Sequence, residues 1–543
     1  MADIEFGGII TEKEYETTLL ERAVSPESVG IDSQAIIDFF DYCKKEDVEF
    51  HSFMLLRYGK VAAEGWWKPF NPQTPHTMFS FSKSVVSTAI GFAIDEGLVS
   101  LDTKVYALFP EYVPFKKKKY AGELTVEHLL TMTGGKKSNL LLKTEKNGWI
   151  ATYLKAKFKY RPGKKFEYIT ENSFMLAVII RKVSGQSITD YLTPRLFEPL
   201  GIDLPKWDKN KGGLEAGGWG LHLKTEDQAK LTQCYLNNGK WGGRQVVPAF
   251  WAKTAVEKHI DKTPGASIDY SLGYGYQFWR NQIPNSYRID GLFSQFGIVL
   301  PEYDACIITS GGEPIEQKAL SAIWQFFPKS FSAGPLPENP EALAKLRAKE
   351  AALSMPCLPE MKHRKQTEAE ISGKLIKFKH SSAASVLCPA SNTIRSQRSG
   401  KFDNVRMTFK KDHLAFSWTE KYNHVFIQTG YGPEYITCQT ELAGSMFNFA
   451  STCAWLEDGS LEVWIRPLEH AQVRKFNFTF KGSRVKMKST AEKGLFDMAI
   501  FDLDFKGRKT GKIMRALTQI GAFFAEPVLD PDLKGKFVEP MYR

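Results

Sequence analysis

Residues 76–88 read HTMFSFSKSVVST, and the apolar run continues through VVSTAIGFAIDEGLVSLD. Ser80, Ser82, Lys83 and Ser84 crowd the front of a stretch whose remainder suits a core. A lysine placed there loses solvation, so it is either surface trim or chemically employed. With a helix opening at Ser80, Lys83 lies one turn on along the same face, and the two side chains meet. The start of the helix also directs unpaired backbone N–H groups and the positive end of the dipole at Ser80. A serine hydroxyl is a weak nucleophile until a neighbouring base takes its proton. A partly desolvated lysine has a lowered pKa and can take it, and Ser–Lys is one form of serine-nucleophile catalysis. Alone, Ser-x-x-Lys recurs by chance and reads more readily as a capping serine before an ordinary amphipathic lysine, so the rest of the chain must decide.

The second informative stretch is RPGKKFEYITENSFMLAVII, residues 161–180. A Pro-Gly turn leads through Phe166-Glu167-Tyr168 into a helix with an apolar face. Tyr168 stands at the join of loop and helix, where a phenol can project into a cleft. Beside a cationic lysine its pKa is expected to fall, which suits a general acid/base. A lone tyrosine at a core edge is the plain alternative.

Composition narrows the class. At about 100–200 residues per domain, a chain of 543 residues holds two to four domains. Apolar content of 43% and charged content of 24% are ordinary for a folded soluble protein. The net charge of +11 is scattered, apart from Lys116–Lys119 and a basic bias over 361–415. Without a nucleic-acid motif it reads as solvated surface, and no nucleic-acid partner is expected. The opening MADIEFGGIITEKEYE is acidic and lacks an apolar core, so no secretory signal is expected. No run reaches about 18 apolar residues, so no membrane span is expected. Cys43, Cys234, Cys306, Cys357, Cys388, Cys438 and Cys453 are far apart and form no C-x-x-C, the usage of reduced thiols in the cytoplasm. Histidines are dispersed without metal-ligand spacing, and neither metal nor cofactor is expected.

Along the chain, 33–45 has helical period with Ser33 as its cap. HSFMLLRYGKVAAEGWW (51–67) reads as two strands about Tyr58-Gly59-Lys60. Helices follow from Ser80 to about Gly97 and over 124–135, 172–184 and 225–239. SQFGIVLP and DACIITSGG then give two strands, and 315–328 a closing helix. The division expected is a catalytic domain over 1–330, a linker with a short helix over 331–365, an antiparallel β domain over 366–505, and a tail of unknown role over 506–543, with a basic helix candidate, GKIMRALTQIGAFF. The β domain is a barrel or sandwich. Its aromatics Phe416, Trp418, Trp455 and Trp464 read as core.

Ser-x-x-Lys, then PG-x-x-F-x-Y about 85 residues on, then a Gly-containing strand, resembles the class C β-lactamase and penicillin-binding-protein-like serine hydrolases. That family includes DD-peptidases, esterases and 6-aminohexanoate-dimer hydrolases. LLRYGKVAAEGWW, FSFSKSVVSTAIGFAIDEGLVSLDTKV, LTVEHLLTMTGG and GGWGLHLKTEDQAKLTQCYLNNGKWGGRQVVP extend the likeness over residues 25–330. The resemblance implies an α+β fold, an antiparallel sheet with flanking helices plus a helical subdomain, and the nucleophile between them.

Residue by residue, it implies Ser80 as acylated nucleophile, Lys83 as its proton acceptor, and Tyr168 as second acid/base. The oxyanion would be met by the N–H groups of Ser80 and Leu292, the latter following Ile289-Asp290-Gly291 in place of the family's third motif. Asp290, Gly291, Thr170, Asn172 and Gln295 stand where substrate would bind, and Trp279 by position in the cleft wall. Two departures stand out. The usual Tyr-x-Asn reads Tyr168-Ile169-Thr170, and the third motif has no Lys or His, Arg288 being adjacent but at the other parity of the strand. Both weaken recognition of a β-lactam carboxylate and rank a peptidase, amidase or esterase above a β-lactamase.

The substrate expected is a small molecule or peptide. The alternative is a catalytically weak or inactive binding or sensor protein on the same scaffold. The complete Ser80, Lys83 and Tyr168 set argues against it; the two altered positions argue for it. An α/β-hydrolase would need a G-x-S-x-G elbow that is missing, and GRKTGK (507–512) has the wrong spacing for a P-loop. The β domain's residues are compatible with shaping the cleft, capping it, or joining subunits into a homo-oligomer.

Overall fold

The computed structural model describes residues 19–112, 119–137, 148–210, 212–261, 267–379, 402–420, 423–442, 445–491 and 532–538. The helix candidate at 511–524, the P-loop-like 507–512, most of the 506–543 tail, Lys116–Lys118 and Cys388 lie outside them.

The opening hairpin joins β1 (Phe50–Arg57) to β2 (Lys60–Trp66). Tyr58 and Gly59 both have positive φ, 53° and 74°, the twist a two-residue hairpin loop needs. Four later strands complete the sheet: β3 (Trp279–Arg280), β4 (Tyr287–Gly291), β5 (Gln295–Leu300) and β6 (Ala305–Gly311). The order is β2-β1-β6-β5-β4-β3, every pairing antiparallel. Chain ends thus meet in the middle of the sheet, with β1 beside β6.

Every residue of β1 is buried, because both faces of the sheet are covered. Met54 and Leu56 point into a core shared with α2 (Ser82–Asp95), α3 (Val126–Leu130) and α4 (Thr170–Ser184). Phe53 and Leu55 point into a second core with α1 (Ser33–Lys45) and the closing helix. Against the sheet packs α5 (Thr225–Leu236), whose Gln228 bonds Ser310 of β6 at 2.9 Å. The closing helix is α6 (Glu316–Phe326).

The cap of α1 is Asp32, not Ser33: the Asp32 carboxylate accepts from Gln34 N at 2.9 Å. Ser33 lies one residue inside and donates to buried Glu27 instead. The linker segment forms α7 (Pro340–Ala352), started by Asn339 and Pro340. Its Leu346 is fully buried in the core that contains α1.

The β domain is a barrel. Its described strands are β7 (Leu375–Phe378), β8 (Phe402–Phe409), β9 (His413–Glu420), β10 (Asn423–Tyr431), β11 (Ile436–Leu442), β12 (Ser445–Trp455), β13 (Leu461–Pro467), β14 (Arg474–Lys481), β15 (Arg484–Ala491) and β16 (Asp532–Val538). Nine of them form a ring, β10-β9-β8-β7-β16-β15-β14-β13-β12, closed by a short parallel pairing of Gly430 and Tyr431 with Thr452 and Cys453. β11 hangs on β12 outside the ring. Alternation builds it: along β9, Leu414, Phe416, Trp418 and Glu420 are buried while their neighbours are less so. Phe416, Trp418 and Trp455 are core; Trp464 packs at its margin with Lys475 over its ring. β16 lies between β7 and β15, so residues 532–538 of the tail are part of the barrel wall.

The barrel touches the catalytic half beside α2. Thr77 N donates to Glu469 O at 2.8 Å. Below it His51 Nδ1 and His76 Nε2 are 3.1 Å apart, Glu49 holds the other face of His51 at 3.0 Å, and Phe70 stacks on the His51 ring.

Candidate active site

The segment that carries Ser80 differs in detail from the sequence expectation. A single 3-10 turn, Phe79–Phe81, precedes α2, which begins at Ser82. Phe79 sits in the left-handed region, φ 43°, a conformation that costs a non-glycine residue about 1–3 kcal/mol and persists only where surroundings enforce it. Its ring is braced by Phe293, centroids 5.3 Å apart. Ser80, at the centre of this turn, is half-buried.

The contact expected between Ser80 and Lys83 is present: Lys83 Nζ lies 2.7 Å from Ser80 Oγ. A second bond, also 2.7 Å, runs from Nζ to the carbonyl of Gly218. Burial pulls the Lys83 pKa down to about 7, against the carboxylates of Glu171 and Asp290, which pull it up. The other hydroxyls of the opening stretch are structural. Ser84 donates to Gln277 O at 2.6 Å, and Ser82 accepts from Leu221 N.

Tyr168 hydrogen-bonds Ser80, and Lys83 Nζ stands 5.1 Å from its ring centroid. The structure thus gathers Ser80, Lys83 and Tyr168 at one point. The direction of the Tyr168 pKa is opposite to the sequence expectation. Burial raises it, with Asp290 and Glu316 adding to the rise and the Ser80 bond and Arg288 opposing it. Trp279 tilts against Tyr168 with centroids 5.6 Å apart, and is itself 2% exposed in the core.

Strand β4 meets the turn that carries Ser80 at Gly291. A Cβ at this glycine would overlap Met78 O and stand 3.0 Å from Phe81 N, so β4 touches the backbone on both sides of Ser80. Gly291→Ala is therefore expected to push the strand off the turn, cutting kcat/KM at least about tenfold with a lower Tm; steady-state kinetics and thermal unfolding read both. Leu292 follows, and Phe293 and Ser294 turn the chain back with φ 65° and 68°. Gln295 lies beneath this turn, not in the cleft. It is fully buried, and its Nε2 is bound to the carbonyls of Leu292, Phe293 and Gly311.

Asp290 Oδ2 accepts from Arg288 Nε at 2.6 Å and from the Tyr270 hydroxyl at 2.9 Å. Arg288 thus shares a face with Asp290, two residues along the strand, and stands at the other parity from Ile289. It is fully buried, with further bonds to Asn281 and to the carbonyls of Asp269 and Arg280. Tyr270 also contacts Glu316, whose carboxyl is pushed well up by burial and by the charge of Asp290.

Of the two stand-ins for the missing asparagine, Asn172 faces elsewhere: its Oδ1 accepts from Tyr153 OH at 2.9 Å and its Nδ2 meets Met132 Sδ. Thr170 lies against Gly218, the carbonyl of which holds Lys83.

Two positioning residues went unread in the sequence. Gly218 belongs to the GGWG run, whose likeness to the family was visible while its contact with Lys83 was not. Gln277 (φ 72°) accepts from Ser173 of α4, donates to the carbonyls of Leu129 and Leu130 of α3, and receives Ser84 of α2 on its own carbonyl. No local pattern marks a glutamine as such a hub. Among the described residues no group of three or more His, Cys, Asp or Glu is arranged to hold a metal, and no helix is long and apolar enough to cross a membrane.

A six-stranded antiparallel sheet flanked by helices, with a serine and a buried lysine in contact where sheet and helices meet, defines a β-lactamase-like fold. Residues 51–311 match the Beta-lactamase family model. The chain is 29% identical over 167 residues to Protein flp of Staphylococcus aureus, covering 28% of this chain and 33% of that protein. It is 25% identical over 227 residues to the 6-aminohexanoate-dimer hydrolase of Paenarthrobacter ureafaciens, covering 38% and 56%. It therefore spans about a third to a little over half of these curated relatives. Among solved structures, a penicillin-binding protein homologue from Caulobacter crescentus superposes with a TM-score of 0.44 at 18% identity, over 54% of this chain and 97% of that one.

Proposed function

We propose that this chain is a serine hydrolase that cleaves an amide or ester through an acyl-enzyme on Ser80. The observation that supports it best is the 2.7 Å contact between Ser80 Oγ and the amine of Lys83, a lysine whose burial leaves it substantially neutral near pH 7.

In this reading neutral Lys83 takes the Ser80 proton as Oγ attacks the substrate carbonyl carbon. The N–H groups of Ser80 and Leu292 meet the oxyanion. Tyr168, kept protonated by burial, donates to the leaving group and regains a proton from the Lys83 ammonium. Water then attacks the acyl carbon while the same pair accepts its proton, and Ser80 is released. Tyr168→Phe is accordingly expected to slow acylation by about 10²–10⁴-fold, and pre-steady-state release of the leaving group measures it directly.

The division into a catalytic domain (1–330), a linker (331–365) and a barrel that joins residues 532–538 to 366–505 is part of this proposal. So is a cytoplasmic setting, supported by Cys43, Cys234, Cys306, Cys357, Cys438 and Cys453 being free thiols. A peptidase, amidase or esterase is preferred to a β-lactamase because Ile289 stands where the family has a cation and Arg288 is sealed behind Asp290.

The altered second and third motifs favour one other reading, a binding protein on this scaffold. Labelling of wild type and Ser80→Ala with a fluorophosphonate and a fluorescent penicillin, read by intact mass and peptide mapping, separates the two. An adduct on Ser80 supports the hydrolase. A folded protein that takes neither reagent supports the binding protein.

A further inference from the structure

Asp290 is a carboxylate with one oxygen spent and one free. Its side chain is 6% exposed. Oδ2 takes the Arg288 guanidinium at 2.6 Å and the Tyr270 hydroxyl at 2.9 Å. Oδ1 has no hydrogen-bond partner among the described residues and is not one of the sealed, orphaned polar atoms of the interior, so it opens to solvent. The neighbouring Gly291 abuts Met78 O and Phe81 N, so this oxygen stands one residue from the backbone that carries Ser80. The field of Asp290 reaches both Lys83 and Tyr168.

The groups behind Asp290 fix its character. Arg288 is fully buried and binds it from the inner side. Tyr270 has one proton to give, and lies between Asp290 and Glu316, whose carboxyl is pushed well up by burial. Arg288 and Asp290 therefore balance, and the cleft meets an oriented acceptor oxygen rather than a bare charge. An N–H group entering there gains a charge-assisted bond. A carboxylate entering there meets a second acceptor, with no proton between them, in a place short of water.

We infer that Asp290 is a specificity residue that selects amides or esters carrying an ammonium or other N–H donor beside the scissile bond, and rejects those carrying a carboxylate. This rests on the hydrolase reading above and adds the substrate class to it.

The test uses the full chain. Ester and amide substrates are compared in which the neutral acyl group of ethyl propionate is replaced by an ammonium-bearing one (ethyl alaninate, both enantiomers) or a carboxylate-bearing one (monoethyl succinate). A second series moves the ammonium to the alcohol half, as in 3-dimethylaminopropyl propionate. In one of the two series the ammonium substrate is expected to exceed its neutral partner in kcat/KM by about tenfold or more, with the carboxylate substrate below the neutral one. Asp290→Asn should bring the ammonium-to-neutral ratio toward one. Fluorophosphonate labelling of Ser80 is run in parallel. A labelled wild type without ammonium preference in either series overturns the inference and leaves the hydrolase reading standing. So does a preference that survives in Asp290→Asn. If Ser80 takes no label and nothing is hydrolysed, the hydrolase reading fails and the inference with it. The wild-type ratios decide even where the variant does not fold.

Discussion

Ser80→Ala is expected to abolish turnover and every covalent adduct while the protein still folds. The hydroxyl contributes little to packing, since Ser80 is half-buried in a one-turn segment. Loss of a nucleophile in a serine–base arrangement costs on the order of 10⁶ in kcat. Burst kinetics on an activated ester, with thermal unfolding as the control, read both halves of the expectation. Turnover that persists in this variant at the wild-type pH dependence would remove Ser80 from the chemistry.

Removal of Lys83 ranks second. Lys83→Ala should slow acylation by about 10²–10⁴-fold, the range for positioned proton transfer. Its pH behaviour is the sharper test. Burial has lowered the lysine to about 7, and only the neutral amine accepts a proton. Acylation should therefore rise tenfold per pH unit below 7, bend near 7, and level off above it. An ordinary lysine would still be rising at pH 9. Single-turnover rates between pH 5 and 9 separate the two, and a profile without a bend near 7 would contradict a desolvated base.

Much of this site was legible in the sequence because its parts are local. Ser80 and Lys83 are one helical turn apart, and the Pro-Gly turn before Tyr168 marks a loop delivering a side chain to a helix start. The sheet was legible too, as hairpin strands of alternating or fully apolar residues. What escaped reading is non-local. Asn172 looked available until Tyr153 was seen to hold it, and Gln295 until three carbonyls of its own hairpin region did. The pairing of Arg288 with Asp290 is likewise a contact across the strand's face that residue spacing alone does not specify. The Tyr168 pKa was misjudged for a related reason. The same burial that neutralises the lysine also raises the phenol, and how deep a side chain lies is a property of the whole fold.

The bond from Thr77 N to Glu469 O reaches further than its single hydrogen bond. It joins the barrel to the backbone three residues ahead of Ser80, over a layer of buried histidines and Phe70 that neither half can cover alone. A contact placed there ties the barrel to the stretch of backbone that leads into the left-handed turn at Phe79. The barrel, which contributes none of the proposed catalytic groups, thereby lies three residues from the proposed nucleophile along the chain.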